Sequence, residues 1–326
     1  MPTHPRPCRP TPLPRLATRA LGSLLVLALA ACGGDRDAGE ATGTTASAKD
    51  AAPGGELTGV LLDMQLNEIS GLAASHLHED VLWLHDDGDN PARLFAVDTR
   101  GSRLATFGVE GIAKTDWEDI AGFELDGTRY LLVADVGDNG GLRRTLQLHV
   151  IEEPTVLRNA RLQPAWSIAF RWPDGPRDCE AVAVDPVRGE VLLVSKKREP
   201  PELFSLPLRP PAKELLTAQR IGTLAGVPRP DPERAAASPR RARLDGQVTS
   251  ASISPGRNTL AVMTYRYLLL YPRPANGNWA DAVAGQPRVS ELPWLPQAEA
   301  LGWSADGRSL YATGEFIPAP LYRIDP

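Results

Sequence analysis

The sequence predicts an all-β fold built from a repeated four-stranded unit, and three observations point to it. From Leu57 onward, short apolar runs rich in β-branched and aromatic residues alternate with Asp, Gly, Pro and Asn turns. The 31 prolines and 29 glycines suit many short elements better than long helices. The stretch Asp86-Asp87-Gly88-Asp89-Asn90 recurs as Asp135-Val136-Gly137-Asp138-Asn139, each copy following an apolar run. Repetition at that interval marks solenoids, propellers or arrays.

Five stretches share one ungapped frame, opening at Ser70, Asp119, Glu180, Thr249 and Glu299. In each, a polar opener leads an apolar run with an apolar residue four places on: Ala74, Phe123, Val184, Ile253 and Trp303. A turn comes next, then a second run starting at Val81, Tyr130, Val191, Leu260 or Leu310. That run closes at Asp86, Asp135, Lys196, Tyr265 or Glu315.

Two further runs complete most units: 93–98 and 104–109, 146–151 and 167–172, 203–208 and 219–224, 267–271 and 288–292. The fifth unit has only 320–324 before the chain ends, so its fourth strand is expected from Thr58–Leu62. The prediction is therefore a five-bladed β-propeller of four-stranded antiparallel blades, closed by the N-terminal strand, which removes open sheet edges. Six blades is the alternative, if a long second or third unit hides another. An insert near Pro154–Pro164 lengthens one interval. A second, at 228–243 (PRPDPERAAASPRRAR), reads as an exposed basic loop.

Residues 1–31 read as a lipoprotein signal peptide, outside the fold. Arg6, Arg9, Arg15 and Arg19 make a basic start, and Leu21–Ala31 is an apolar run too short to span a bilayer. Leu29-Ala30-Ala31-Cys32 resembles a bacterial lipobox, which implies cleavage before Cys32 and acylation of that residue. Gly33 in place of aspartate favours the outer membrane in a diderm cell, and otherwise the extracytoplasmic face of the plasma membrane is expected. Residues 32–56 carry almost no large apolar side chains and read as a tether, leaving 57–326 as the propeller domain.

The chain is acidic, with formal charge −5, and lacks nucleic-acid-binding motifs, so nucleic acid is excluded as a partner. There is no G-x-S-x-G elbow, P-loop, H-E-x-x-H or dinucleotide fingerprint. With Cys8 lost and Cys32 acylated, Cys179 is left alone as a structural thiol.

In a propeller the first strand lines the channel and the second returns beside it, so the openers converge on one channel mouth. Carboxylates crowded there raise one another's pKa unless a cation sits among them. Ser70, Asp119 (with neighbouring Glu118), Glu180, Thr249 (with Ser250) and Glu299 are thus candidate oxygen ligands for Ca²⁺, which takes six to eight such ligands in loose geometry. The loops after the second strands add Asp86, Asp87, Asp89, Asn90, Asp135, Asp138, Asn139 and Glu315. Lys196, Lys197, Tyr265 and Arg266 face them. An acidic arc opposite a basic and aromatic one suits a small anionic ligand bridged by metal.

Asp116-Trp117-Glu118-Asp119-Ile120-Ala121 and Glu68-Ile69-Ser70-Gly71-Leu72, with the two Gly-Asp-Asn loops, resemble a group of bacterial exported propellers sometimes labelled phytase-like. More distantly, the layout is similar to the calcium-activated apyrases. That resemblance implies five blades and a channel Ca²⁺ held by Ser and Glu residues of the inner strands. Ser70, Glu180 and Glu299 match that pattern, with Glu118 or Asp119, and Thr249 or Ser250, in the other two blades. Asp86-Asp87 resembles an acidic pair of the apyrase cleft, while the long apyrase inserts are missing.

The leading expectation is a lipid-anchored, monomeric envelope propeller that binds a small anionic ligand or an envelope protein at a calcium-dependent mouth. The competing one is a calcium-dependent phosphohydrolase in which Asp86, Asp87 or Asp135 orients the attacking water. A purely structural scaffold is the third.

Overall fold

The computed structural model describes residues 54–326, with the exception of Asp89 and Asp231. The signal peptide, Cys32, all but the last residues of the tether, and Asp89 lie outside the described residues. Among the described residues, no helix is long and apolar enough to cross a membrane.

Strand β1 (Gly55–Leu61) precedes the first blade, which comprises β2 (Ile69–Ala74), β3 (Val81–Asp86), β4 (Arg93–Asp98) and β5 (Arg103–Val109). The second blade comprises β6 (Trp117–Leu125), β7 (Thr128–Asp135), β8 (Leu146–Glu152) and β10 (Trp166–Arg171), interrupted by the short β9 (Ala160–Leu162). The third has β11 (Cys179–Asp185), β12 (Glu190–Ser195), β13 (Glu202–Pro207) and β15 (Gln219–Thr223), with the short β14 (Leu215–Thr217) before the last. Helices α1 (Pro232–Ala237) and α2 (Pro239–Leu244) lead to the fourth blade. That blade is β16 (Val248–Ile253), β17 (Thr259–Thr264), β18 (Tyr267–Pro272) and β19 (Arg288–Glu291), with α3 (Trp279–Ala284) before β19. The fifth is β20 (Ala298–Trp303), β21 (Leu310–Gly314) and β22 (Ala319–Ile324), and β1 pairs antiparallel along β22 to complete it.

This is a five-bladed β-propeller closed by its N-terminal strand, and the six-bladed alternative is dismissed. The long intervals hold β9 and the α1–α2 pair instead of a further blade. Strand β1 begins at Gly55, two residues before the expected boundary.

Successive side chains of a strand point to opposite faces, and here each face meets a different neighbour. In β11, Val182 and Val184 pack toward blade two, while Ala181 and Ala183 pack toward blade four. The same division gives one apolar cluster per blade interface. Being apolar on both faces is why the strands read as nearly continuous apolar runs. Trp83 and Trp117 join blades one and two, Trp172 meets Phe204 edge-on between blades two and three, and Trp303 sits between blades four and five. Cys179 is fully buried in the second of these interfaces.

A less visible regularity concerns the outer edges. The connector between third and fourth strands of a blade crosses back onto the preceding blade. From blade two, β9 adds a parallel strand to β5 of blade one, and from blade three, β14 adds one to β10 of blade two. From blade four, α3 packs against β15 of blade three through Trp279 and Val283. Its start is fixed by a capping box between Asn278 and Asp281, with each backbone N–H 2.9 Å from the other's side-chain oxygen. Blade one's tight turn at 99–102 does the same to β1: the Cα of Arg100 stands 2.6 Å from where a Cβ on Gly59 would be, so only glycine permits the approach.

The segment 232–244 forms two short helices where an irregular loop was expected. Pro232 and Pro239 occupy first-turn positions, where a missing N–H costs nothing, and Ala and Arg are strong helix formers. Arg234 ties the pair down by a two-pronged contact with Asp245 (Nη2 to Oδ1, 2.9 Å).

Closure through β1 yields a direct expectation. Deleting residues 1–61 should expose the edge of β22 and drive the protein into aggregates on size exclusion, whereas deleting 1–53 should leave a monomer. A 1–61 deletion that ran as a monomer with an unchanged melting midpoint would rule this role out.

Candidate functional site

Each inner strand carries a β-bulge at the same point. The register shifts lie at Ile69/Gly71, Trp117/Asp119, Cys179/Ala181, Val248/Ser250 and Ala298/Ala300. The five bulged residues are therefore Ser70, Glu118, Glu180, Thr249 and Glu299. A bulge leaves its extra residue unpaired and re-aims its side chain. All five are at least nine-tenths buried.

A second regularity lies just outside. In every blade the N–H that follows the second strand donates to the carbonyl two residues before the bulge: Asp87 to Glu68 (2.8 Å), Gly137 to Asp116 (3.2 Å), Lys196 to Asp178 (3.1 Å), Tyr265 to Gln247 (3.3 Å) and Glu315 to Gln297 (3.0 Å). The mouth is thus a ring of bulged residues inside a ring made of 68, 116, 178, 247 and 297, with 87, 137, 196, 265 and 315 above them.

This geometry corrects the ungapped frame in blade two, where the β6–β7 hairpin holds one residue more than β2–β3: Asp119 pairs with Ala134, while Gly71 pairs with His85. Glu118 is the counterpart of Ser70 and Glu180. Asp119 pairs with Ala134 one step deeper and is fully buried. Its Oδ1 accepts from Ile120 N–H (2.9 Å) and Ser250 Oγ (3.1 Å), and its Oδ2 from Val182 N–H (2.8 Å) and Ala251 N–H (3.2 Å). Burial pushes this carboxyl well up, and the N–H donors pull it back. With both oxygens doubly bonded across blades two, three and four, Asp119 is a structural tie rather than a metal ligand.

Asp86 and Asp135 are likewise not at the mouth. They end the second strands, where their counterparts Ser195 and Thr264 accept N–H bonds from Glu202 (2.8 Å) and Tyr267 (2.9 Å). Asp135 accepts from the backbone of Thr115 (2.8 Å) and Asp116 (3.1 Å) and pairs with Arg143 at 2.6 Å. Its oxygens hold the loop that presents Asp116 and are not available to orient a water. Asp86 lies 3.7 Å from Arg93, without a hydrogen bond, under the backbone carbonyls that bind Lys114 Nζ. Burial raises it to about 7 against the pull of Arg93 and Lys114. Beside it, His85 is fully buried edge-on to Trp117 and burial lowers it to about 3, so it is neutral at ordinary pH.

The groups that do converge include two absent from the expected set. Asp87, Asp116 and Glu118 place ligand oxygens within 4.8 Å of one another, and so do Glu118, Asp178 and Glu180. Burial first, then Asp87, raises Asp116 to about 7. Glu118 is pushed well up by burial and by Glu180, Asp87 and Asp116. Ser70 Oγ donates to the Glu118 carbonyl at 2.8 Å and to its Oε2 at 3.3 Å. Gly137 is required here: a Cβ would stand 2.6 Å from Asp116 Cγ and closer still to Glu118 Oε1.

The other half of the ring carries its own cation. Lys196 Nζ contacts Glu180 and donates to Tyr265 Oη at 2.9 Å, and Tyr265 Oη donates to Glu299 Oε1 at 2.7 Å. Burial alone would lower Lys196, but Glu180 and then Glu299 hold it above the usual lysine range. Burial raises Glu299 to about 7, with Lys196 opposing. Lys197 reaches Asp178 at 2.8 Å and Asn139 Oδ1 at 2.6 Å.

The remaining candidates support loops. Asn90 Nδ2 donates to Glu68 Oε2 (2.8 Å), and Asp138 accepts from the backbone of Leu142 (2.7 Å) and Arg143 (3.0 Å). Arg266 pairs with Glu291 at 3.0 Å and approaches Asp245 at 3.9 Å. Gln297 donates to Glu315. Thr249 Oγ1 is buried without a hydrogen-bond partner.

No protein-family model matches this chain, and no curated protein sequence matches it. A solved structure titled "Crystal structure of Nidogen/Laminin Complex" aligns with a TM-score of 0.42 and 14% identity, covering 78% of this chain and 74% of that one.

The raised carboxyls imply a pH dependence. A carboxyl with a higher pKa folded than unfolded binds an extra proton in the native state between the two values, so its contribution to stability falls as pH rises through that window. For Asp86, Asp116 and Glu299, the window runs from about 4 to about 7. In chelator, the melting midpoint should fall as pH rises across it. A midpoint that climbs over the same range would contradict the assignment.

Proposed function

We propose that the protein is a lipid-anchored envelope propeller whose mouth binds a small anionic ligand through a divalent cation, for which calcium is the best chemical match. The observation that carries this reading is the asymmetry of charge. Lys196 compensates Glu180 and Glu299, while Asp87, Asp116 and Glu118 stand together with no basic side chain, among the described residues, hydrogen-bonded or ion-paired to their carboxylates. Three carboxylates, the Ser70 hydroxyl and backbone carbonyls form an all-oxygen donor set, which suits a hard cation of flexible coordination. Gly137 leaves a cradle that any side chain would fill, and Thr249 has an orphaned buried hydroxyl on the same ring. A cation there would restore the ionised state of Asp116 and Glu118 and offer positive charge to an anion entering from above. The lipobox-like Leu29–Cys32 supports the anchor, and the likeness to exported propellers supports the compartment.

A phosphohydrolase is the second reading, favoured by one feature: the Asp87 and Asp116 carboxylates lie within 4.8 Å of each other, with Asp116 raised to about 7 by burial and by Asp87. A carboxyl near neutrality can relay a proton. The acid–base pair would then be Asp87 and Asp116, and not Asp86 or Asp135.

Calcium added to chelator-treated full-length protein in detergent should raise the melting midpoint, by the equivalent of about 2.7 kcal/mol at a hundredfold excess over the dissociation constant. Asp116→Asn should abolish that rise and Asp86→Asn should keep it. An unchanged midpoint with calcium, magnesium and manganese alike would sink the metal. Phosphate release from ATP or phytate that depends on Asp116 would establish the hydrolase. The anchor is checked separately: Cys32→Ser should move the protein from the detergent phase to the aqueous phase.

A further inference from the structure

Beside the mouth, between the 196–201 loop of blade three and the α1–α2 insert, lies a cavity of about 650 Å³. Both of its walls are connectors on the mouth face: one joins the second and third strands of blade three, and the other joins blade three to blade four. Lys196 belongs to the cavity wall and to the mouth ring, so the two spaces share a side chain.

The lining is strongly basic in an acidic protein. Lys196, Lys197, Arg198, Arg229 and Arg243 line the cavity, with Glu199 as the single acid among the described residues. The two lysines are committed to Glu180 and Asp178. The arginines are not neutralised in the same way. Arg198 lies 3.9 Å from its nearest acid, Glu202, and Arg229 and Arg243 have no ion-pair partner among the described residues. All three are exposed, so solvent screens their repulsion, and they are free to close on an anion seated among them. Guanidinium groups match phosphate and carboxylate oxygens in pairs. The walls between them are stiff and partly apolar, with Pro200, Pro201, Pro228, Val227 and Leu224. The volume falls in the range of small-molecule sites, roughly 300–1,000 Å³.

We infer that this cleft binds a small polyanion carrying two or more phosphate or carboxylate groups, one end on Arg198, Arg229 and Arg243, the other directed past Lys196 toward the mouth. The inference deepens the proposed reading of the mouth and rests on it for the second end only. The arginine end requires no metal, so the two fail separately.

Calorimetry of the full-length protein in detergent tests it, with inorganic pyrophosphate and citrate as probes, in chelator and again in calcium. Binding of at least one probe in chelator is expected, weakened at least about tenfold by Arg229→Ala with Arg243→Ala. Arg198→Ala alone should weaken it in the same direction. Arg240→Ala, an exposed arginine of α2 outside the cavity lining, should leave it unchanged. The two probes separate phosphate from carboxylate preference. A further gain in affinity in calcium would join cleft and mouth into one site, and its absence would overturn the bridging half alone. No binding of either probe, or an equal loss in Arg240→Ala, would overturn the cleft.

Discussion

The site depends on one backbone irregularity made five times. Each inner strand must supply ladder bonds to the second strand and apolar side chains to two neighbouring blades, which leaves no regular position that aims a carboxylate at the mouth. The bulge supplies one. It takes a single residue out of the alternation at the channel entrance, so that Glu118, Glu180 and Glu299 reach the mouth while Ile120, Val182 and Leu301 stay in the interfaces. The recurring N–H to carbonyl bond just outside the bulge then fixes the loop above it. Asp119 adds a tie across three blades from below. Together they hold like charges at distances that the carboxylates themselves would not choose.

The electrostatic balance differs around the ring. On the side of blades three to five, Lys196 enters between Glu180, Tyr265 and Glu299 and forms a closed, hydrogen-bonded group. Glu180 and Glu299 still rise in pKa there, with Lys196 opposing the shift. On the side of blades one to three, Asp116 and Glu118 rise with no lysine paired to them. The same fold therefore meets the same problem in two ways, with an internal cation on one side and raised carboxyls alone on the other. Only the second arrangement gives way to an incoming metal without breaking an ion pair.

The blade count and the strand pairs were legible because both faces of the first two strands of each blade are buried, which leaves a strong apolar pattern, and the closing strand followed from the fifth unit having no fourth run. The site was legible in part. Ser70, Glu180, Thr249 and Glu299 followed from the shared frame, since blades one, three, four and five place their openers alike. Glu118 was displaced by one extra residue within the β6–β7 hairpin, which an ungapped alignment cannot absorb. Asp116 and Asp178 were missed because they precede the run. Yet Glu68, Asp116, Asp178, Gln247 and Gln297 are all polar two places before the bulge, and that column was visible in the sequence. Asp86 and Asp135 misled for a different reason. Strand-end carboxylates turned inward read the same in sequence as those that meet a ligand: Asp135 is taken up by the Thr115 and Asp116 N–H groups and by Arg143, and Asp86 is buried beside Arg93.

The backward-reaching connectors give the fold a direction in time. A blade emerging from the ribosome has its outer edge covered only when its successor has been made, because β9, β14 and α3 each belong to the next blade along. The last partnership is the longest in sequence: Gly55 pairs with Ile324, so β1, the first strand synthesised, waits for the last one. Non-local pairing of this kind slows folding and leaves an edge open during translation. In a propeller of this design the first strand stays unpaired until the last has been made.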